Sequence, residues 1–109
     1  MTATLTTTNP VWTLDLGEDE SRFSLDWLSQ VEQALATVRE SSEPVALCIT
    51  ATGKFFSNGL DLDWLQANPG EWAPYVGRVQ AVFSQTLTLP VPTVCAINGH
   101  CFAAGAMLA

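Results

Sequence analysis

Main-chain groups, rather than reactive side chains, carry the clearest chemical potential in this sequence. Two stretches match at a fixed offset of 46: Pro44-Val45 recurs as Pro90-Val91, Gly53 as Gly99, Phe56 as Phe102 and Gly59 as Gly105. Each copy reads Pro-Val, an apolar strand containing a cysteine, a glycine turn, then Phe-x-x-Gly opening an Ala/Leu-rich helix. A strand that feeds directly into a helix leaves several N–H groups without intrahelical acceptors. The helix dipole adds partial positive charge at the same place. One such end is an ordinary anion site. Two brought together could hold a single oxygen between two N–H groups, which is an oxyanion hole. Gly59 and Gly105 would allow close backbone approach there. Each turn taken alone is also simple turn chemistry, so the pairing is what points to a site.

Side chains compete only weakly with that reading. His100 is the sole histidine, beside the Asn98-Gly99 turn. No Ser or Cys nucleophile pattern accompanies it, and it reads as structural or solvent-facing. Cys48, Cys95 and Cys101 form no CxxC pair. Their odd number beside one histidine fits neither a disulfide framework nor a structural zinc site, which leaves buried or half-buried free thiols. Asp61 and Asp63 could ligate a metal, but near a helix start they suit the helix dipole better, and no metal site is expected. No GxGxxG and no Gly-Lys-Ser/Thr is present, so nucleotide-cradling loops are not indicated.

The elements that must position these groups follow from periodicity. Met1 to Thr8 is Thr-rich and reads as a frayed arm, giving a flexible segment over 1–10 and a core domain over 11–109. Val11 to Leu16 alternates as a half-buried strand, and Gly17 to Arg22 is a polar turn. Ser24 is the expected N-cap of an amphipathic helix over about 25–40, with Leu25, Leu28, Val31, Leu35 and Val38 on its apolar stripe. Val45 to Thr50 suits a strand buried on both faces of a sheet flanked by helices. Gly53 to Gly59 reads as a loop and Leu60 to Gln66 as a short helix. Asn68-Pro69-Gly70 breaks the chain before a second long helix marked by Tyr75, Val76, Val79, Val82, Phe83 and Leu87. Thr93 to Ile97 reads as another buried strand, and a helix begins near Ala103. About seven residues of helix with no C-cap after Ala109 read as an interrupted fold, a piece of something longer.

Composition narrows the function classes. With 109 residues, 48% hydrophobic and 14% charged, the chain fits one packed domain and not a disordered one. Four Lys and Arg stand against 11 Asp and Glu, for a formal charge of -7. No basic stripe is available for nucleic acid or for an anionic membrane surface. No apolar run approaches the roughly 20 residues of a membrane span. Met1 to Asn9 lacks the regions of a signal peptide, so a soluble, cytoplasmic protein is expected.

Two segments resemble the signatures of the crotonase (enoyl-CoA hydratase/isomerase) superfamily. The first is Ile49-Thr50-Ala51-Thr52-Gly53-Lys54-Phe55-Phe56-Ser57-Asn58-Gly59-Leu60-Asp61-Leu62, and the second is Pro90-Val91-Pro92-Thr93-Val94-Cys95-Ala96-Ile97-Asn98-Gly99-His100-Cys101-Phe102-Ala103-Ala104-Gly105. The resemblance covers roughly 11–109, less than half of a usual member. It implies an α/β fold of repeated ββα units, here the truncated N-terminal portion of the spiral core. It implies that the N–H groups of Leu60 and Ala104 form the oxyanion hole, with Ala103-Ala104-Gly105 replacing three glycines. It places Ser57, Asn58, Gly59, Asp61, Leu62 and Gly105 at the substrate, with Asp61 and its loop near the adenine and pantetheine parts of coenzyme A. Lys54 then becomes either a partner for a coenzyme A phosphate or a solvated lysine. Trp27, Trp64 and Trp72 either line an acyl pocket or pack in a core or interface.

What the resemblance implies for activity is a coenzyme A thioester enzyme. No separate cofactor is needed, because coenzyme A is part of the substrate. Where hydratases carry a glutamate in the helix after the second signature, this sequence has Met107. A thioether cannot exchange a proton at neutral pH, which disfavours two-glutamate hydration. The pattern looks closest to peroxisomal-type Δ3,Δ2-enoyl-CoA isomerases, whose base would be a carboxylate outside these residues. The alternatives are a hydratase or another lyase or hydrolase of the family, or an inert fragment or interaction module. A complete chain would be a homo-oligomer, trimer or hexamer, acting on acyl-CoA.

Overall fold

A computed structural model describes residues 3–7 and 10–109. In chain order the elements are β1 (Thr4–Thr6), β2 (Val11–Asp15), β3 (Arg22–Phe23), α1 (Leu25–Arg39), β4 (Ala46–Thr50), β5 (Phe55–Ser57), β6 (Gly59–Leu60), α2 (Leu62–Ala67), a 3-10 turn (Pro69–Glu71), α3 (Trp72–Leu87), β7 (Thr93–Cys95), β8 (His100–Cys101) and α4 (Ala104–Leu108). Ser24 caps α1 by accepting from the Trp27 N–H at 3.2 Å, and Asp26 sits in the first turn, where a carboxylate suits the dipole. At the other end Arg39 donates to the carbonyls of Gln85 (3.0 Å) and Thr88 (3.4 Å), tying the C-terminal ends of α1 and α3 together. Arg78 on α3 closes a second tie, 2.7 Å from Glu32 on α1.

The main sheet runs in the order β1-β2-β4-β7. Strands β2, β4 and β7 are parallel, and β1 is antiparallel to β2. Leu47 pairs with Thr93, Cys48 with Val94 and Ile49 with Cys95. That register equals the offset of the sequence repeat, so equivalent residues of the two copies lie side by side. Two further parallel pairs, β3 with β6 and β5 with β8, stand beyond the main sheet. Trp12, Leu14, Leu47 and Ile49 share one face and are buried with Trp27, Leu28, Val31, Leu35 and Val38 of α1. Trp27 stacks on Phe23 with ring centroids 4.4 Å apart, and its indole N–H donates to the Leu16 carbonyl at 3.0 Å.

Several expectations need correction. Residues 4–6 of the supposed frayed arm form β1, with Leu5 opposite Leu14. The Ala3 N–H also reaches Gln30 Oε1 at 2.8 Å. The strand satisfies the edge of β2 that would otherwise present unpaired backbone groups. Met1, Thr2, Thr8 and Asn9 of that segment lie outside the described residues. The burial on both faces expected of β4 and β7 is not found: the face bearing Thr13, Cys48 and Val94 is half-covered, with Val94 62% exposed on edge strand β7. Leu25 is exposed and Trp27 takes its place in the buried stripe of α1. Leu60, read as helical, belongs to β6, and the helix starts only at Leu62 behind the Asp61 cap. The polar turn ending at Arg22 and the loop ending at Gly59 each contain strand residues. Two or three residues cannot display a period, so these pairings left no pattern to read. All three cysteines are free and half-buried. Among the described residues no helix is long and apolar enough to cross a membrane.

Candidate active site

The two copies of the repeat meet through their glycines. Gly59 has φ +85°, and a Cβ built on it would lie 2.9 Å from the Ala104 nitrogen and 3.3 Å from the Gly105 nitrogen. Reciprocally, a Cβ on Gly105 would run into the Ser57 carbonyl oxygen. Each Phe-x-x-Gly glycine is thus packed against the backbone of the other copy. The Phe102 N–H donates to the Ser57 carbonyl at 3.0 Å and the His100 N–H to the Lys54 carbonyl at 3.0 Å, which knits the two turns together. Asn98 adds a clamp that its reading as a turn residue had not included. Its Oδ1 accepts from the Ala51 N–H at 3.2 Å and its Nδ2 donates to the Gly53 carbonyl at 3.0 Å.

Short hydrogen bonds fix the loop around Leu60. Ser57 is fully buried, its hydroxyl donating to the Ser21 carbonyl at 2.7 Å and accepting from the Gly59 N–H at 3.1 Å. Arg22 Nη1 donates to the Leu60 carbonyl at 3.1 Å, and the Asp61 N–H donates to the Tyr75 hydroxyl at 3.0 Å. Asp61 accepts from the Trp64 N–H at 3.2 Å as the cap of α2, the helix-start role its position predicted. Ala103, before α4, has φ +51° and ψ −122°, a conformation that ordinarily selects glycine. Ala104 is the first residue of α4, so its N–H has no intrahelical acceptor.

Leu60 and Ala104 line one cavity of about 450 Å³, together with Asn58, Leu62, Val76, Val79, Gln80, Phe83, Ala103 and Met107. Its wall is apolar save for Asn58 and Gln80, and among the described residues no titratable side chain lines it. The Asn58 Oδ1 is buried and has no hydrogen-bond partner among the described residues. Of the residues expected at the substrate, Asn58, Leu60, Leu62 and Ala104 are therefore brought together. Gly59 and Gly105 stand behind them as contact points, while the Ser57 hydroxyl and the Asp61 carboxylate are engaged in holding the loop. Sequence reasoning missed the helix α3 side of the cavity and Tyr75, whose spacing signalled only a core helix.

The remaining candidates lie elsewhere. Trp27 is core, Trp72 is 47% exposed, and none of the tryptophans lines the cavity. His100 is exposed and stacks on Phe102, ring centroids 5.7 Å apart. Lys54 sits 5.8 Å from the centre of the Phe55 ring. Burial pushes the Cys95 and Cys101 thiols up, away from the reactive thiolate. Among the described residues no cluster of three or more His, Cys, Asp or Glu is placed to hold a metal.

A sequence profile described as enoyl-CoA hydratase/isomerase matches residues 11–109. The chain belongs to that family, the crotonase superfamily. It is 40% identical over 99 residues to enoyl-CoA delta isomerase 3 of Arabidopsis thaliana, a match covering 85% of this chain and 41% of that protein. It is 37% identical over 100 residues to that plant's enoyl-CoA delta isomerase 2, peroxisomal, covering 85% and 42%. The fold matches the crystal structure of an enoyl-CoA hydratase from Bacillus anthracis with a TM-score of 0.91 at 23% identity, over 99% of this chain and 44% of that one. An enoyl-CoA hydratase from Mycobacterium smegmatis gives 0.90 at 24% identity, over 99% and 44%. The chain spans about two fifths of the length of the curated relatives it matches. The family resemblance and the α/β crotonase-like fold read from the sequence hold.

Proposed function

We propose that this chain supplies the enolate-stabilising part of an acyl-CoA site that moves a double bond from the 3 to the 2 position. The thioester carbonyl sits between the N–H groups of Leu60 and Ala104. A carboxylate contributed from outside the 109 residues removes a C2 proton, electrons flow onto the thioester oxygen, and the proton returns at C4. Coenzyme A enters as part of the substrate, and no further cofactor takes part. One observation carries this reading: a Cβ on Gly59, the residue before Leu60, would stand 2.9 Å from the Ala104 nitrogen, and Leu60 and Ala104 line one apolar cavity. Met107 in that cavity supports isomerisation over hydration, since a thioether cannot activate water. The names of the plant relatives point the same way. Leu87, Val94, Ile97 and Phe102, each more than half exposed, are in keeping with apolar surface that further protein covers in a trimer or hexamer.

Turnover of 3-hexenoyl-CoA and crotonyl-CoA by the longest polypeptide the gene encodes tests the reading. A double-bond shift without water addition is expected, and hydration of crotonyl-CoA as the dominant reaction would refute it. Leu60→Pro deletes one donor and should lower kcat by about 10² to 10³, the usual cost of losing such a group. Full activity in a folded Leu60→Pro protein would remove Leu60 from the assignment.

A further inference from the structure

We infer that Tyr75 is a positioning residue for the Leu60 donor, an assignment that rests on the isomerase reading above. Tyr75 lies on α3 and is 2% exposed. Its hydroxyl donates to the Phe23 carbonyl at 2.5 Å and accepts from the Asp61 N–H at 3.0 Å. The Asp61 nitrogen and the Leu60 carbonyl belong to one planar peptide unit. Tyr75 holds one end of that plane, and Arg22 holds the other at 3.1 Å. On the preceding side, the Gly59 N–H is held by the Ser57 hydroxyl. The plane that carries the Leu60 N–H is therefore suspended between two planes fixed by hydrogen bonds.

Of the two groups on the Leu60–Asp61 plane, Tyr75 is the rigid one. The Arg22 side chain is 38% exposed and shared with Glu20 at 2.7 Å. The Tyr75 ring, by contrast, packs on Trp64 with centroids 5.5 Å apart and cannot swing. Burial raises the phenol above its ordinary value, so it stays protonated, donor and acceptor at once, through neutral pH. A donor aimed beforehand needs no reorganisation as charge develops on the substrate oxygen. Small misplacements of such a group cost far more in rate than in binding.

The test is Tyr75→Phe in the longest encoded polypeptide, which keeps the ring and removes only the hydroxyl. We expect kcat on 3-hexenoyl-CoA to fall roughly tenfold with KM unchanged within about twofold. Hydrogen exchange should quicken at the Leu60 and Asp61 amides. Replacement of Tyr75 by para-aminophenylalanine, which restores a donor and an acceptor, should recover most of kcat. Val38→Ala, in the core of α1 and away from the cavity, lowers thermal stability as a control and should leave kcat unchanged. Wild-type kcat in Tyr75→Phe would overturn the assignment. If the wild-type protein itself shifts no double bond, isomerase activity is excluded and exchange alone decides. Faster exchange confined to Leu60 and Asp61 then supports a positioning role, and unchanged exchange refutes it.

Discussion

Gly59→Ala puts the meeting of the two repeats under direct load. An alanine at φ +85° adopts a left-handed backbone at a cost of about 1–2 kcal/mol. Its Cβ would also stand 2.9 Å from the Ala104 nitrogen, a backbone atom that cannot rotate aside. Forcing a carbon into a packed site of this kind typically costs about 1–3 kcal/mol. Reduced entropy of the unfolded chain returns about 0.4–1 kcal/mol. The net expectation is a loss of about 1–4.5 kcal/mol, or roughly 4 °C and upward in Tm for a domain of this size at about 4–8 °C per kcal/mol. Gly77→Ala is the internal comparison, because Gly77 lies within α3 and a Cβ there meets nothing within 4 Å. The same chemical change should stabilise at that position by about 0.5–1 kcal/mol through helix propensity. Urea titration followed by tryptophan fluorescence measures both. If the two variants shift in the same direction, or Gly59→Ala lies within about 0.5 kcal/mol of the wild type, the close approach of Gly59 to Ala104 is wrong.

Further expectations concern strain and ionisation. Ala103→Gly should stabilise by roughly 0.5–2 kcal/mol in the same titration, because glycine releases the strain of φ +51° while adding unfolded-state entropy; a loss of stability would show that Ala103 is not strained. Tyr75, Cys95 and Cys101 all have their ionisation raised by burial above the ordinary values of 10.0 for the phenol and 9.0 for the thiols. The unfolded chain therefore loses these protons first, so stability is fully present at neutral pH and falls as pH climbs past about 9. Cys95→Ala should flatten the early part of that fall in pH-dependent melting, and an unchanged profile would exclude the thiol as its source.

Legibility tracked element length and the kind of group involved. Long periodic segments such as α1 and α3 announced themselves, as did the Phe-x-x-Gly pair, whose glycines turned out to touch the opposite copy. Strands β3, β6 and β8 have two residues each and no period to detect. Their pairing is set by tertiary contacts, so Leu60 read as helix. The Ser57 hydroxyl, the Asn98 amide and the Tyr75 phenol bond to backbone groups distant in sequence, and residue type alone does not reveal such partners. Val94 and Ile97 read as buried from their apolar character, yet each is more than half exposed, since type predicts a preference for burial and not what covers it.

The side-by-side register of β4 and β7 has a consequence for how this architecture tolerates indels. Equivalent positions of the two units are locked across the sheet, whereas α2, Asn68-Pro69-Gly70 and the start of α3 form the outward excursion between them. That excursion can lengthen or shorten while the seam stays aligned. One residue gained or lost between β4 and β5, or between β7 and β8, would instead shift β5 against β8 by a full Cα step, about 3.8 Å, and carry Gly59 off the Ala104 backbone.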